Sequence, residues 1–298
     1  MAHEINRILR AFAMQPLFIE AAKGHQIAEI LALRAAQGPR ADSFTDTPAE
    51  QPAPSQTGNV AILRLFGPIL PRAEAITDIS QPAALMTRFQ AQFRTAASDP
   101  RVTAIVIDID SPGGQADLVP ETVAMIRAAR RSDRPIVAIA DTLACSAAYW
   151  LGCGADEFSV TPSGLVGSIG AYVLHQDVSE ALTAAGVKNT FVAEGPRKVE
   201  GNPFEPLDDA AKAWLQGIVK DCYDMFVADV AKARGVPASV VRADPETSDK
   251  HMGGGRSYPA KEALRLGMVD RIETLDQLVT RLQRRGARSS SSARASLL

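Results

Sequence analysis

The chain has 298 residues, a formal net charge of −2 and 46% hydrophobic residues. That length can bury a sizeable core, and the near-neutral charge argues against bulk binding to nucleic acid. Three cysteines (Cys145, Cys153, Cys222) are an odd number without metal-ligand spacing. They fit a reduced, cytoplasmic protein with no disulfide, metal or cofactor.

At the N-terminus, Arg7 and Arg10 precede an apolar run, Ala11 to Ile19, broken at Gln15-Pro16 and closed by Glu20. The run is too short to span a bilayer and lacks a small-residue cleavage pattern, so no membrane anchor is expected. Leu17, Ile19, Ala22, Ile27, Ile30, Leu31 and Leu33 recur at helical spacing. They predict an amphipathic helix from Leu17 to Ala36 within an N-terminal arm, residues 1–37, that serves packing or subunit contact. Residues 38–58 hold Pro39, Pro48, Pro52 and Pro54 among polar residues, the composition of a flexible linker. The domain proper is expected over 59–283.

Val60 to Phe66 reads as a strand ended by Gly67-Pro68, and Ala83 to Ala97 as a helix stopped by Asp99-Pro100. Val102 to Asp110 is an apolar, β-branched run of the kind that makes a buried strand, and it breaks at once into Ser111-Pro112-Gly113-Gly114. Proline fixes φ and two glycines admit conformations barred to other residues, so a tight turn is predicted at the strand's end. Backbone N–H groups uncovered there suit an oxyanion. Asp108 and Asp110 are read as structural turn and capping residues.

A helix from Pro120 to Arg131 leads to a second buried strand, Pro135 to Asp141, which runs into Thr142-Leu-Ala-Cys-Ser146-Ala-Ala-Tyr-Trp150. Ser146 falls among small residues where a helix starts. It reads equally as a helix cap or satisfied core serine and as a nucleophile. The order of parts favours the second, because parallel strands present such ends on one edge of a sheet. Cys145 points elsewhere than its neighbour and is set aside.

Further short strands are predicted at Phe158 to Val160, Gly167 to Leu174 and Asn189 to Ala193, with a helix from Ser179 to Ala185 between the last two. A long helix runs from about Leu207 to Arg234. Its periodic residues Trp214, Leu215, Ile218, Val219, Tyr223, Phe226, Val227 and Val230 are assigned to the core. Tyr258 to Gly267 reads as a helix and Met268 to Ile272 as a closing strand. Residues 284–298, with four serines at Ser289 to Ser292, are too simple to fold alone and read as a disordered, flexible tail. The strand–helix alternation is that of a layered α/β fold.

Four motifs carry a resemblance: Asp110-Ser-Pro-Gly-Gly114, Ala144-Cys-Ser-Ala-Ala-Tyr-Trp150, Val166-Gly-Ser-Ile-Gly170 and Arg197-Lys-Val-Glu-Gly-Asn-Pro-Phe204. In this order, over roughly residues 59–282, the chain resembles the signal peptide peptidase A family of serine peptidases. The likeness extends to the family's bacteriophage branch, the head maturation (capsid assembly) proteases. The resemblance implies a Clp protease/crotonase-like fold and an ATP-independent endopeptidase with a Ser–Lys dyad and no cofactor. It assigns Ser146 as nucleophile, Lys198 as general base, Ser168 as a residue orienting Lys198, and Gly113, Gly114 and Ala147 as the oxyanion site.

On residues alone, Lys198 is a solvated loop lysine beside Arg197, and only the resemblance makes it a base. A lysine works as a base when neutral, and each unit of lowering from its free pKa of about 10.4 costs about 1.4 kcal/mol. His175, the one histidine inside the core pattern, offers an alternative Ser–His–Asp arrangement. The family's double-length members carry Ser and Lys on different repeats, whereas this chain has one copy of each, so the resemblance implies a ring-shaped homo-oligomer with active sites shared between subunits. The phage branch implies polypeptide substrates (scaffold, portal or capsid proteins) in host cytoplasm or in an assembling prohead, with no nucleic acid and no membrane. A signal-peptide-degrading peptidase without its anchor, a crotonase-like acyl-CoA enzyme and a non-catalytic assembly protein are the rival readings. The tail sequence Arg294-Ala-Ser-Leu-Leu298 also suits self-cleavage.

Overall fold

A computed structural model describes residues 17–19, 53–72 and 83–295, with side chains for 53–72 and 83–286. The chain is a layered α/β protein built on one large, mostly parallel sheet. Strands β1 (Leu17–Ile19), β2 (Ser55–Thr57), β3 (Val60–Phe66), β4 (Ile69–Leu70) and β5 (Ala84–Leu85) precede helix α1 (Met86–Ser98). The centre comprises β6 (Ala104–Ser111), β7 (Gly113–Gln115), α2 (Val119–Ala128), β8 (Ile136–Cys145), α3 (Ala147–Gly152), β9 (Glu157–Val160) and β10 (Leu165–Gly167). It is followed by α4 (Ser179–Ala184), α5 (Asp209–Arg234), α6 (Ala238–Arg242), β11 (Ser257–Pro259), α7 (Ala260–Arg265), β12 (Arg271–Ile272) and α8 (Leu275–Ala295).

The large sheet runs β11-β10-β8-β6-β3-β2, with β9 on the first half of β8 and β12 outside β9. Strands β3, β6, β8, β9 and β10 are parallel to their neighbours in this series. A parallel sheet buried on both faces needs apolar residues of both parities, and the sequence supplies them. Ala61, Leu63, Leu65, Ile105, Ile107, Ile109, Ile136, Ala138 and Ala140 face a core shared with α1, α2, α3 and α5. Val60, Ile62, Ala104, Val106, Val137 and Ile139 face Leu278, Val279 and Leu282 of α8.

A smaller sheet, β1-β7-β4-β5, stands beside the first. Here β7 is parallel to β4 through Ile69 and Gly114 and antiparallel to β1. The backbones of β4 and β7 are so close that a Cβ on Gly114 would fall 2.1 Å from the Ile69 carbonyl oxygen. Only glycine fits there.

Several elements depart from the sequence reading. Leu17 to Ile19 is a strand, not the start of a helix; an apolar triplet with one aromatic and one β-branched residue finds a sheet edge, and pairing overrides periodicity. The rest of the expected arm lies outside the described residues. Ser55–Thr57, assigned to the linker, forms a hairpin with β3 across Gly58, whose φ is +61°. The strand expected over Gly167 to Leu174 stops at Gly167, and Asn189 to Ala193 forms no strand, having no sheet edge to join.

Helix α5 starts as expected, with the Asp208 carboxylate accepting from the Ala211 N–H at 2.7 Å. Its first half, however, is covered only in part: Ala211 and Leu215 are buried, but the rest of the expected stripe there is not. Trp214 is 51% exposed, and Ile218, Val219 and Tyr223 are only half-buried. The expected tail is also helical as far as Ala295, because α8 continues past the turns whose apolar face packs on the sheet.

Asp108 is a mid-strand residue, not a turn residue. It is buried on the α8 side of β6, with Arg64 Nε at 3.8 Å and its Oδ1 without a partner among the described residues. Burial, reinforced by Asp141 and Asp110, pushes its carboxyl up from 3.8 to about 7, against the opposing pull of Arg64. A raised folded-state pKa means that the ionised form costs stability. The cost is absent below about pH 4, grows through the interval to about pH 7, and is then constant at no more than about 4 kcal/mol. Asp108→Asn is therefore expected to raise Tm at pH 8, with the gain shrinking towards pH 4. Thermal denaturation across that range checks this, and a gain independent of pH would refute it.

Candidate active site

The parallel strands end on one edge, and the candidate residues gather there. β6 leads into Ser111-Pro112-Gly113-Gly114, and β8 leads into Ser146. The β6–β8 register is broken between Ile109–Ala140 and Ser111–Ala144, a bulge that re-aims the end of β8. β10 then continues pairing at Leu143, Ala144 and Cys145.

Ser146 sits at the strand-to-helix junction with φ +57° and ψ −120°. A non-glycine residue there costs on the order of 1–3 kcal/mol and must be held by its surroundings. Its N–H donates to the Gly167 carbonyl at 2.7 Å, and its carbonyl accepts from the Trp150 N–H at 3.0 Å. The side chain makes no cap bond to α3, which removes the helix-cap reading. Ser146 is buried, and its Oγ has no hydrogen-bond partner among the described residues. A buried hydroxyl without a partner is uncommon in a folded protein, and this one sits on a strained turn.

Short helix α3 fixes that turn from below. Trp150 stacks on Phe226 of α5 with ring centroids 4.8 Å apart, and its Nε1 donates to Asp229 Oδ2 at 2.7 Å. Arg127 of α2 also pairs with Asp229. The Tyr149 hydroxyl donates to the Met268 carbonyl at 2.8 Å. This floor is dry: burial pushes the Cys153 thiol up to about 12 and the Tyr149 phenol well above its ordinary value. Cys145 Sγ is engaged with Ser257 Oγ at 3.3 Å, which agrees with setting it aside.

Gly113, with φ +98°, and Gly114 are buried on β7, and the Gly113 N–H donates to Ser111 Oγ at 3.2 Å. Ser168, one residue beyond the carbonyl that holds Ser146, has φ +53° and is buried, and its N–H donates to the Arg256 carbonyl at 2.8 Å. Residues around Ser146, Ala147, Ser168 and the Gly113–Gly114 turn thus share one edge of the sheet.

Sequence reasoning gave no role to the loop His251 to Arg256, which packs against this edge. A Cβ on Gly167 would meet the Arg256 carbonyl at 2.8 Å, and His251 Nδ1 accepts from the Gly253 N–H at 3.1 Å. The run Gly253-Gly254-Gly255 was the available signal, since all three have positive φ.

Lys198 is not brought to Ser146 within this chain. It is exposed in a run of turns on the segment between β10 and α5, with no hydrogen bond or ion pair of its ammonium among the described residues. His175 is on the same segment and contacts the Asn202 carbonyl through Nε2 at 3.1 Å, so it too leaves Ser146 Oγ unmatched. The segment exposes Leu174, Val187, Phe191 and Val192, the last at 98%. Among the described residues, no group of three or more metal-ligating side chains occurs, and no helix is long and apolar enough to cross a membrane.

An α/β sheet with a strained serine at a strand-to-helix turn beside a glycine turn defines the architecture of a serine-hydrolase-type site. The chain belongs to peptidase family S49, whose family model matches residues 128–288, more than half of its length. It is 30% identical over 238 residues to capsid assembly protease C of Escherichia phage lambda, covering 79% of this chain and 51% of that protein. It is 31% identical over 185 residues to head-tail preconnector protein GP5 of Enterobacteria phage P21, covering 61% of this chain and 36% of that one. Protease 4 of Salmonella typhi is 28% identical over 242 residues, 81% of this chain and 37% of its own. The chain therefore spans about half or less of the length of these curated relatives.

The glycines give a direct check of this geometry. Gly114→Ala is expected to lower Tm sharply or abolish soluble expression, because the backbone at Ile69 cannot yield. Gly170→Ala, whose Cβ would meet its nearest neighbour at an ordinary 3.6 Å, is expected to change stability by less than about 0.5 kcal/mol. Thermal denaturation of the two variants checks the contrast, and equal Tm values would contradict it.

Proposed function

We propose that this chain is an ATP-independent serine endopeptidase of Clp protease/crotonase-like fold, with Ser146 as nucleophile and Lys198 as general base. The observation that carries the reading is the buried, unpartnered Oγ of Ser146 on its strained turn. Lys198 takes the hydroxyl proton as Oγ bonds to the substrate carbonyl carbon, and passes it to the leaving amine as the C–N bond breaks. Water, deprotonated by Lys198, then releases the acyl group. The Gly113 and Ala147 N–H groups hold the oxyanion, Gly113 turning from Ser111 Oγ, while Gly114 keeps the turn pressed against β4. Ser168 orients the Lys198 ammonium.

The exposed position of Lys198 and the apolar side chains around it support completion of each site between copies of the chain in a ring-shaped homo-oligomer. Docking of that segment would also desolvate Lys198, which a lysine base requires. The names of the two phage relatives support phage head proteins, such as scaffold or portal, as substrates, cleaved in host cytoplasm or in a prohead. In this reading residues 59–283 form the peptidase unit.

Cleavage of an unfolded protein by wild type, Ser146→Ala and Lys198→Ala tests the dyad. Both variants are expected to lose at least about 1000-fold in rate. Mixing the two inactive variants is expected to restore about a quarter of wild-type activity if sites are shared, because a quarter of random interfaces carry both intact residues. Activity retained in Lys198→Ala would move the base to His175. An inert wild type that forms stable oligomers would favour a non-catalytic assembly protein.

A further inference from the structure

Strand β7 is three residues long, and it follows immediately on the turn that carries the proposed oxyanion donor. One side of it is taken by β4, where Gly114 and Ile69 touch backbone to backbone. Its other side would be a bare edge, with N–H and C=O groups presented by two glycines that offer no side chain. Such an edge reads main chain and tolerates varied sequence, as β-strand addition does. That side is occupied by β1, antiparallel, with Leu17 opposite Gln115, Phe18 opposite Gly114 and Ile19 opposite Gly113.

We infer that Leu17–Ile19 is an intramolecular competitor, occupying the rail (the free edge of β7) that an extended peptide substrate would otherwise take. The inference rests on the proposed roles of Ser146 and Gly113, and adds a contact within the chain that a substrate must displace. The register also fixes polarity. Ile19 lies opposite Gly113, the proposed oxyanion donor, and Leu17 lies opposite Gln115, two residues further along β7. A substrate in this orientation therefore keeps the residues before its scissile bond on β7 and leads the residues after it past Gly113. Leu, Phe and Ile have high strand propensity, which suits the occupant to the edge. Pairing over only three residues is displaceable, yet covalent attachment makes its return an intramolecular event. The chain thus competes with weak substrates and yields to strong ones.

The test uses the full chain and the variant Phe18→Pro/Ile19→Pro, which removes N–H donors of both parities from β1. Two quantities are read: hydrogen exchange at Gly113 to Gln115, each chain carrying Ser146→Ala, and the rate of fluorophosphonate labelling of Ser146 in the chains that keep it. The variant is expected to exchange faster at 113–115 and to label about five- to tenfold faster. A synthetic peptide spanning Ala13 to Ala22 is expected to return the variant's labelling rate towards that of wild type. Equal exchange in both chains would show that β1 does not pair with β7 and would overturn the inference. Faster exchange with unchanged labelling would also overturn it, leaving β1 a purely structural strand. If no chain labels at Ser146 at all, the proposed nucleophile falls and the substrate rail with it, while the exchange data still show whether β1 pairs.

Discussion

The backbone of Ser146 is the constraint around which the molecule is arranged. Its φ of +57° is tolerated only because the turn is gripped from three directions. The Gly167 carbonyl takes its N–H, β8 delivers it through a bulge, and α3 is locked beneath it by Trp150, Phe226 and Asp229. These contacts come from residues 127 to 229, so strain at one residue is met by packing collected along a hundred positions of chain. Without it the hydroxyl would relax into a cap bond, and the unpaired Oγ would disappear.

Much of this was legible beforehand because the central strands announce themselves. β3, β6 and β8 are mostly apolar runs, interrupted by Arg64, Asp108 and Asp141, and runs apolar at both parities are what a two-faced parallel sheet requires. The glycine turn and the serine at a strand's end were legible for the same reason: a parallel sheet has one edge at which such ends meet. The nature of Ser146 itself was not. A capping serine and a strained, unpaired serine share a local sequence, and only the missing cap bond separates them.

What failed to show in the sequence depends on long-range partners. Leu17 to Ile19 fits a helical period, yet a glycine strand nearly a hundred residues away draws it into a sheet. Trp214 fits the same stripe as Phe226 and Val230, but the core ends partway along α5 and leaves the indole in solvent. Periodicity reports an apolar face and does not say what covers it. The segment that carries Lys198 poses the same problem, for Phe191 and Val192 have strand-like composition and no strand to join. Exposed apolar residues on both elements are the expected mark of a surface that meets another protein.

Helix α8 has a consequence for the order in which the molecule is made. Among the described residues it alone covers Val60, Ile62, Ala104, Val106, Val137 and Ile139, and it follows every strand of the sheet in the chain. A chain emerging from the ribosome therefore carries one bare apolar sheet face until Leu278, Val279 and Leu282 have been synthesised. The turn that holds Ser146 depends on the same sheet, so a serine translated near the midpoint of the chain gains its strained geometry only when the last helix closes the far side.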